Sequence, residues 1–137
     1  MLGSVVASPI LKRRGVPSDK QSEPKESPMA MVISTLRILT ARKSRAKVVR
    51  ILAAQLGATR LQPGCLRCDL YQDIENRETI TLVEEWESQA ELDLRLRSEG
   101  YRSVLAAIEL SQKQPAIHFD TVTRRGGLEV VASARGA

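Results

Sequence analysis

Two spacings in this chain could carry chemistry. Cys65-Leu66-Arg67-Cys68 has the C-x-x-C spacing used by dithiol redox centres and by zinc sites, while Glu84 and Trp86 set a carboxylate two residues from the chain's only tryptophan. Both pairs fall in runs that read as strands, where alternate side chains point to opposite faces. On such a run the two cysteines, three apart, face opposite ways and can neither share a metal nor close a relaxed disulfide. A second C-x-x-C is missing, and the single histidine, His118, cannot complete a zinc site. Glu84 and Trp86, two apart, share a face with Ile80 and Leu82, as Leu66, Cys68 and Leu70 share one on the run before. The polar link Asp73-Ile74-Glu75-Asn76-Arg77 joins these runs into a hairpin, and Ser88-Gln89-Ala90-Glu91 has the spacing that caps a helix. Trp86 therefore stands where a hairpin meets a capped helix, a natural place for a pocket.

The rest of the chain must position that unit. The periodicities predict a strand over 31–40, a helix over 44–60, strands over 65–72 and 79–87, a helix over 89–111 broken near Glu99-Gly100, and a strand over 116–124. Val48, Val49, Leu52, Ala53 and Leu56 form one apolar helical stripe, and Val104, Leu105 and Ile108 form another. The order βαββαβ, with one face of each helix to bury, predicts an α+β ferredoxin-like fold: a four-stranded antiparallel sheet with both helices on one side. The other sheet face is expected to carry Cys65, Arg67, Asp69 and Tyr71 from one run and Thr79, Thr81, Val83, Glu85 and Glu87 from the next, a mixture too apolar for water and too polar for a core. A second copy of that sheet suits it, so a homodimer with an isologous interface is expected.

Composition sets the remaining bounds. At 137 residues with 42% apolar content the chain has one domain's worth of core, and no apolar run approaches the length of a membrane span. Residues 1–28 hold four prolines with mixed charge and no periodicity, and read as a disordered leader or, since Met29 and Met31 stand just before the first strand, as a gene-model extension upstream of the biological start. The basic cluster Lys12-Arg13-Arg14 follows a short apolar patch, the reverse of a secretory signal, so a cytoplasmic location is expected. Residues 29–125 form the domain, and 126–137 a tail that is either flexible or a short strand at Leu128–Val131. The formal charge of +5 is spread thinly: 29–125 carries fifteen basic and twelve acidic residues. Arg42, Lys43, Arg45, Lys47 and Arg50 cluster at a helix start and read as a solvated face, and the acidic TITLVEEWE lacks the stacking rings of an RNA-binding sheet. No nucleic-acid or membrane partner is expected.

Gly64-Cys65-Leu66 ahead of Asp69-Leu70-Tyr71-Gln72-Asp73, then Leu82-Val83-Glu84-Glu85-Trp86-Glu87-Ser88, then a helix leading to Ser98 and Tyr101-Arg102, resembles the antibiotic biosynthesis monooxygenase domain over about Met31 to Arg124. The resemblance implies a dimeric α+β barrel that oxidises a quinol- or anthrone-like aromatic with molecular oxygen, using neither metal nor flavin. It also implies that Trp86 lines the substrate cavity and that Glu84 reaches the same space. Arg95 is then the candidate to pair with a phenolate and Tyr101 to hydrogen-bond a ring oxygen, which makes Arg95 and Glu84 the catalytic candidates and Trp86 and Tyr101 the substrate-binding ones. Many relatives carry histidines near Arg95 and Gly100; this chain has neither, so the haem-degrading activity of similar domains is not expected. The alternative is a non-catalytic dimer of the same fold that binds a small aromatic or lipid-like molecule.

Overall fold

The computed structural model describes residues 30–136, so the leader reading lies outside the described residues. The chain runs β1 (Met31–Leu39), a short 3-10 turn (Arg42–Ser44), α1 (Arg45–Ala53), α2 (Leu56–Arg60), β2 (Cys65–Gln72), β3 (Thr79–Trp86), α3 (Gln89–Arg97), α4 (Tyr101–Glu109), β4 (Ala116–Val122) and α5 (Leu128–Ala134). The four strands form one antiparallel sheet in the order β2-β3-β1-β4. This is the expected ferredoxin-like α+β arrangement, with the non-consecutive strands β1 and β3 paired at the centre.

Register fixes what the helices cover. Val32 pairs with Trp86, Ser34 with Glu84, Leu36 with Leu82 and Ile38 with Ile80, and these rows face α1, α3 and α4. Val48 and Leu52 of α1 and Val104 and Ala107 of α4 complete the main core with Leu36, Ile38, Cys68, Ile80 and Leu82. A smaller cluster of Val32, Trp86 and Leu92 forms beyond it. The Ser34–Glu84 row separates the two, so a polar layer crosses an otherwise apolar interior.

Three expectations need correction. The helix read over 44–60 is two helices with a break at Ala54-Gln55, where the chain turns to let α2 pack on β2. Ala53 and Leu105 fall outside the buried stripes, and Leu105 is 49% exposed while Ala107 takes the core position. The C-terminal segment is a helix with exposed Leu128, Val130 and Val131, rather than the flexible tail or short strand expected there.

The outer sheet face carries Ile33, Thr35, Arg37, Thr81, Val83, Glu85, Arg67 and Asp69. Among the described residues no helix packs on it. Ile33, Thr35, Thr81 and Val83 are half-buried there, and Glu85 is buried beneath Arg67 Nη1 at 2.9 Å and Arg125 Nη2 at 3.2 Å.

Candidate functional site

The polar layer is built from β3 and α3. Strand alternation turns Glu84 and Trp86 to the same side, and the Trp86 Nε1–H donates to Glu84 Oε1 at 3.0 Å. Ser88 ends the strand and starts the helix: its hydroxyl accepts from the Glu91 amide and meets the Glu91 carboxylate. The helix that follows buries Leu92 and, one turn later, Arg95. That phase aims the guanidinium back at the sheet. Arg95 Nε donates to Glu84 Oε1 at 3.1 Å and Nη2 to Oε2 at 2.8 Å, a two-pronged ion pair with each residue 2% exposed. The break between α3 and α4 brings the Tyr101 ring beneath the same guanidinium, 5.0 Å from ring centre to its central carbon.

The structure therefore brings together all four residues singled out in the sequence. Arg95 stands in a different setting from the solvated edge its charge suggests: it is among the largest fully buried side chains. The reason is helical phase, since Leu92 and Leu96 bracket it and share its inward side. Burial pushes the Tyr101 phenol up to about 12, with the Glu84 carboxylate adding to the rise and Arg95 opposing it. Tyr101 thus stays protonated, a hydrogen-bond donor, across the physiological range.

Not every donor in the site is used. Glu84 takes Nε and Nη2 of Arg95, which leaves Nη1 without a hydrogen bond to any described residue. Nη1 lies under Gly100, where an added Cβ would sit 3.6 Å from it and 3.7 Å from Gln55 Oε1. Gln55 comes from the α1–α2 break, and its Nε2 is buried with no hydrogen-bond partner. A buried amide left unpaired costs about 1–3 kcal/mol, so its position needs an explanation. Gln55 is absent from the sequence reading, although it lies three residues after Leu52 and seven after Val48, on the buried side of that helix.

The cysteines need the sharpest correction. A register shift between Cys65 and Arg67 inserts one extra residue in β2, so Cys65 pairs with Trp86 and Cys68 with Glu84, both on the helix side. Leu66 is thrown outward and is 51% exposed. The two thiols therefore share a face after all, and they line a cleft with Arg60 and Arg67. Both are free, and burial raises both thiols, that of Cys68 to about 12, which keeps them protonated and unreactive. Among the described residues no group of metal-ligating side chains forms. His118 faces the outer side, in register with Thr35, and is exposed.

No helix among the described residues is long and apolar enough to cross a membrane. Solved structures of the same fold include a conserved protein from Methanosarcina mazei, 21% identical with a TM-score of 0.65, covering 70% of this chain and 96% of its own. Rv0793 from Mycobacterium tuberculosis is 22% identical with a TM-score of 0.65, covering 71% and 99%. A structure described as an antibiotic biosynthesis monooxygenase is 19% identical with a TM-score of 0.62, covering 68% and 99%. No curated protein matches the chain. Residues 29–107 match the family described as antibiotic biosynthesis monooxygenase, more than half of the sequence, so this chain belongs to that family.

Proposed function

We propose that the chain is a homodimeric monooxygenase that oxidises a quinol- or anthrone-like aromatic with molecular oxygen at the Glu84–Trp86–Arg95–Tyr101 site. The observation that supports it is the pair of donors left unspent at one buried ion pair, Arg95 Nη1 and the Tyr101 hydroxyl, beside an indole wall and next to the half-buried Gln55 amide. A phenol bound there gives up its proton and becomes an electron-rich anion that reduces oxygen directly. The protein then has to hold the ring, stabilise the phenolate and exclude water. Arg95 Nη1 takes the phenolate oxygen, Tyr101 donates to a second ring oxygen, and Glu84 receives the proton as Arg95 turns its fork toward the ligand. For an anthrone, one oxygen atom of O2 ends as the new ring carbonyl, the two hydrogens of the methylene leave with the other as water, and the equation balances without a further reductant.

A non-catalytic dimer that binds the same class of ring is the second reading. One observation favours it: both Glu84 oxygens already accept hydrogen bonds, from Trp86 and Arg95. Binding is tested first. Trp86 is the only tryptophan, so its fluorescence reports on the site. Under anaerobic conditions a hydroquinone or anthrone is expected to quench it saturably. Gly100→Leu, which places a side chain over Arg95 Nη1 without backbone strain at φ −61°, is expected to weaken that binding about tenfold or more with the melting temperature unchanged. Unaltered binding in Gly100→Leu would move the site elsewhere.

A further inference from the structure

A groove of about 460 Å³ opens between α1 and the β2–β3 hairpin, a size within the range of small-molecule sites. Val49, Leu70 and Ile80 form its floor, and Arg45, Arg50 and Arg77 stand around it. It is a separate place from the Trp86 site. Ile80 and Trp86 both belong to β3, six residues apart, which separates the two regions by roughly 20 Å along the strand.

The rim has more positive charge than its surroundings answer. Arg45 has Glu78 at 3.8 Å, a loose contact, whereas Arg50 and Arg77 have no carboxylate within ion-pair distance among the described residues. Two arginines of the basic cluster that reads in the sequence as a solvated face, Arg45 and Arg50, thus border an apolar floor together with Arg77 from the hairpin turn. Guanidinium groups match a planar carboxylate in two-pronged fashion, and an aliphatic floor takes the body behind it. A hydrophilic anion would leave the floor wet, and a neutral apolar molecule would leave the arginines unanswered.

We propose that this groove is a binding site for a small amphipathic carboxylate, seated with its apolar body on Val49, Leu70 and Ile80 and its charge among Arg45, Arg50 and Arg77. The test is calorimetric titration of the full chain at low salt with octanoate, with octan-1-ol as the neutral counterpart and inorganic phosphate as the bare anion. Octanoate is expected to bind with a dissociation constant below about 1 mM and at least about tenfold more tightly than either control. Arg50→Gln with Arg77→Gln should weaken it by about tenfold or more, and Ala46→Trp, which fills the groove from its exposed side, should abolish it. All three positions are exposed, so the fold should survive, and a melting curve checks that. Equal binding of octanol, equal competition by phosphate, indifference to these substitutions, or no heat up to about 10 mM octanoate would each overturn the proposal.

Discussion

At the scale of single residues, the Glu84–Arg95 pair decides most. Charges this deeply buried are tolerable only when each is answered, and removal of one partner strands the other in a medium of low polarity. Arg95→Met or Glu84→Leu alone should therefore cost about 3–5 kcal/mol in denaturant unfolding. The double variant should recover most of that loss but not all, since Trp86 Nε1 would still lack its acceptor. Single variants that each cost less than about 1 kcal/mol would show that the pair is solvated in solution. How far these residues are legible in the sequence follows from their secondary structure. Glu84 and Trp86 share a face by simple alternation. The inward phase of Arg95 is also readable, from Leu92 and Leu96 on either side, but a charged side chain invites a surface assignment and hides it. The pairing of Arg95 with Glu84 is a tertiary fact that no spacing contains. The outward exposure of Leu66 and the shared face of Cys65 and Cys68 are illegible for a different reason: one inserted residue reverses parity, and nothing in Cys-Leu-Arg-Cys signals an insertion.

At the scale of elements, the hairpin-to-helix joint holds the site. The strand and helix are tied by Ser88, and the Glu87 amide donates to the Gly64 carbonyl at 2.8 Å, which pins the start of β2 to the end of β3. Gly64 has φ +87°, and a Cβ added there would come within 2.2 Å of Glu91 Cγ in the first turn of α3. Gly64→Ala should thus combine a left-handed backbone penalty of about 1–2 kcal/mol with a clash that pushes α3, and with it Arg95, away from the sheet. A loss of stability above about 2 kcal/mol by thermal or denaturant unfolding is the expected outcome; a loss below about 0.5 kcal/mol would mean that α3 shifts freely. Strand and helix positions are largely legible because each carries a sustained period and the Ser-x-x-Glu cap is local. The break at Ala54-Gln55 is not, since Leu56 keeps the apolar period running across it. Gln55 consequently goes unnoticed, although its side-chain amide lies beside the site under Gly100.

At the scale of the molecule, the outer sheet face poses the main question. Ile33, Thr35, Thr81 and Val83 lie half-buried with no layer over them among the described residues, and Glu85 is buried under two arginines, one of them from beyond β4. A second copy packed sheet to sheet would cover this face and complete a barrel. Sedimentation at micromolar concentration is expected to give a dimer, and Val83→Asp a monomer; a wild-type monomer would contradict the barrel. The central claim, that the buried site performs oxidation rather than binding alone, is tested most directly by oxygen consumption. The full chain, without added metal or flavin, is to be supplied with a panel of hydroquinones and anthrones and compared with the same substrates alone. Oxygen uptake above the uncatalysed rate is expected, at one O2 per ring oxidised, and should fall about a hundredfold in Arg95→Lys, which keeps the charge but loses the fork. Saturable quenching of Trp86 by those same compounds with no uptake above the uncatalysed rate would contradict it and leave a binding protein.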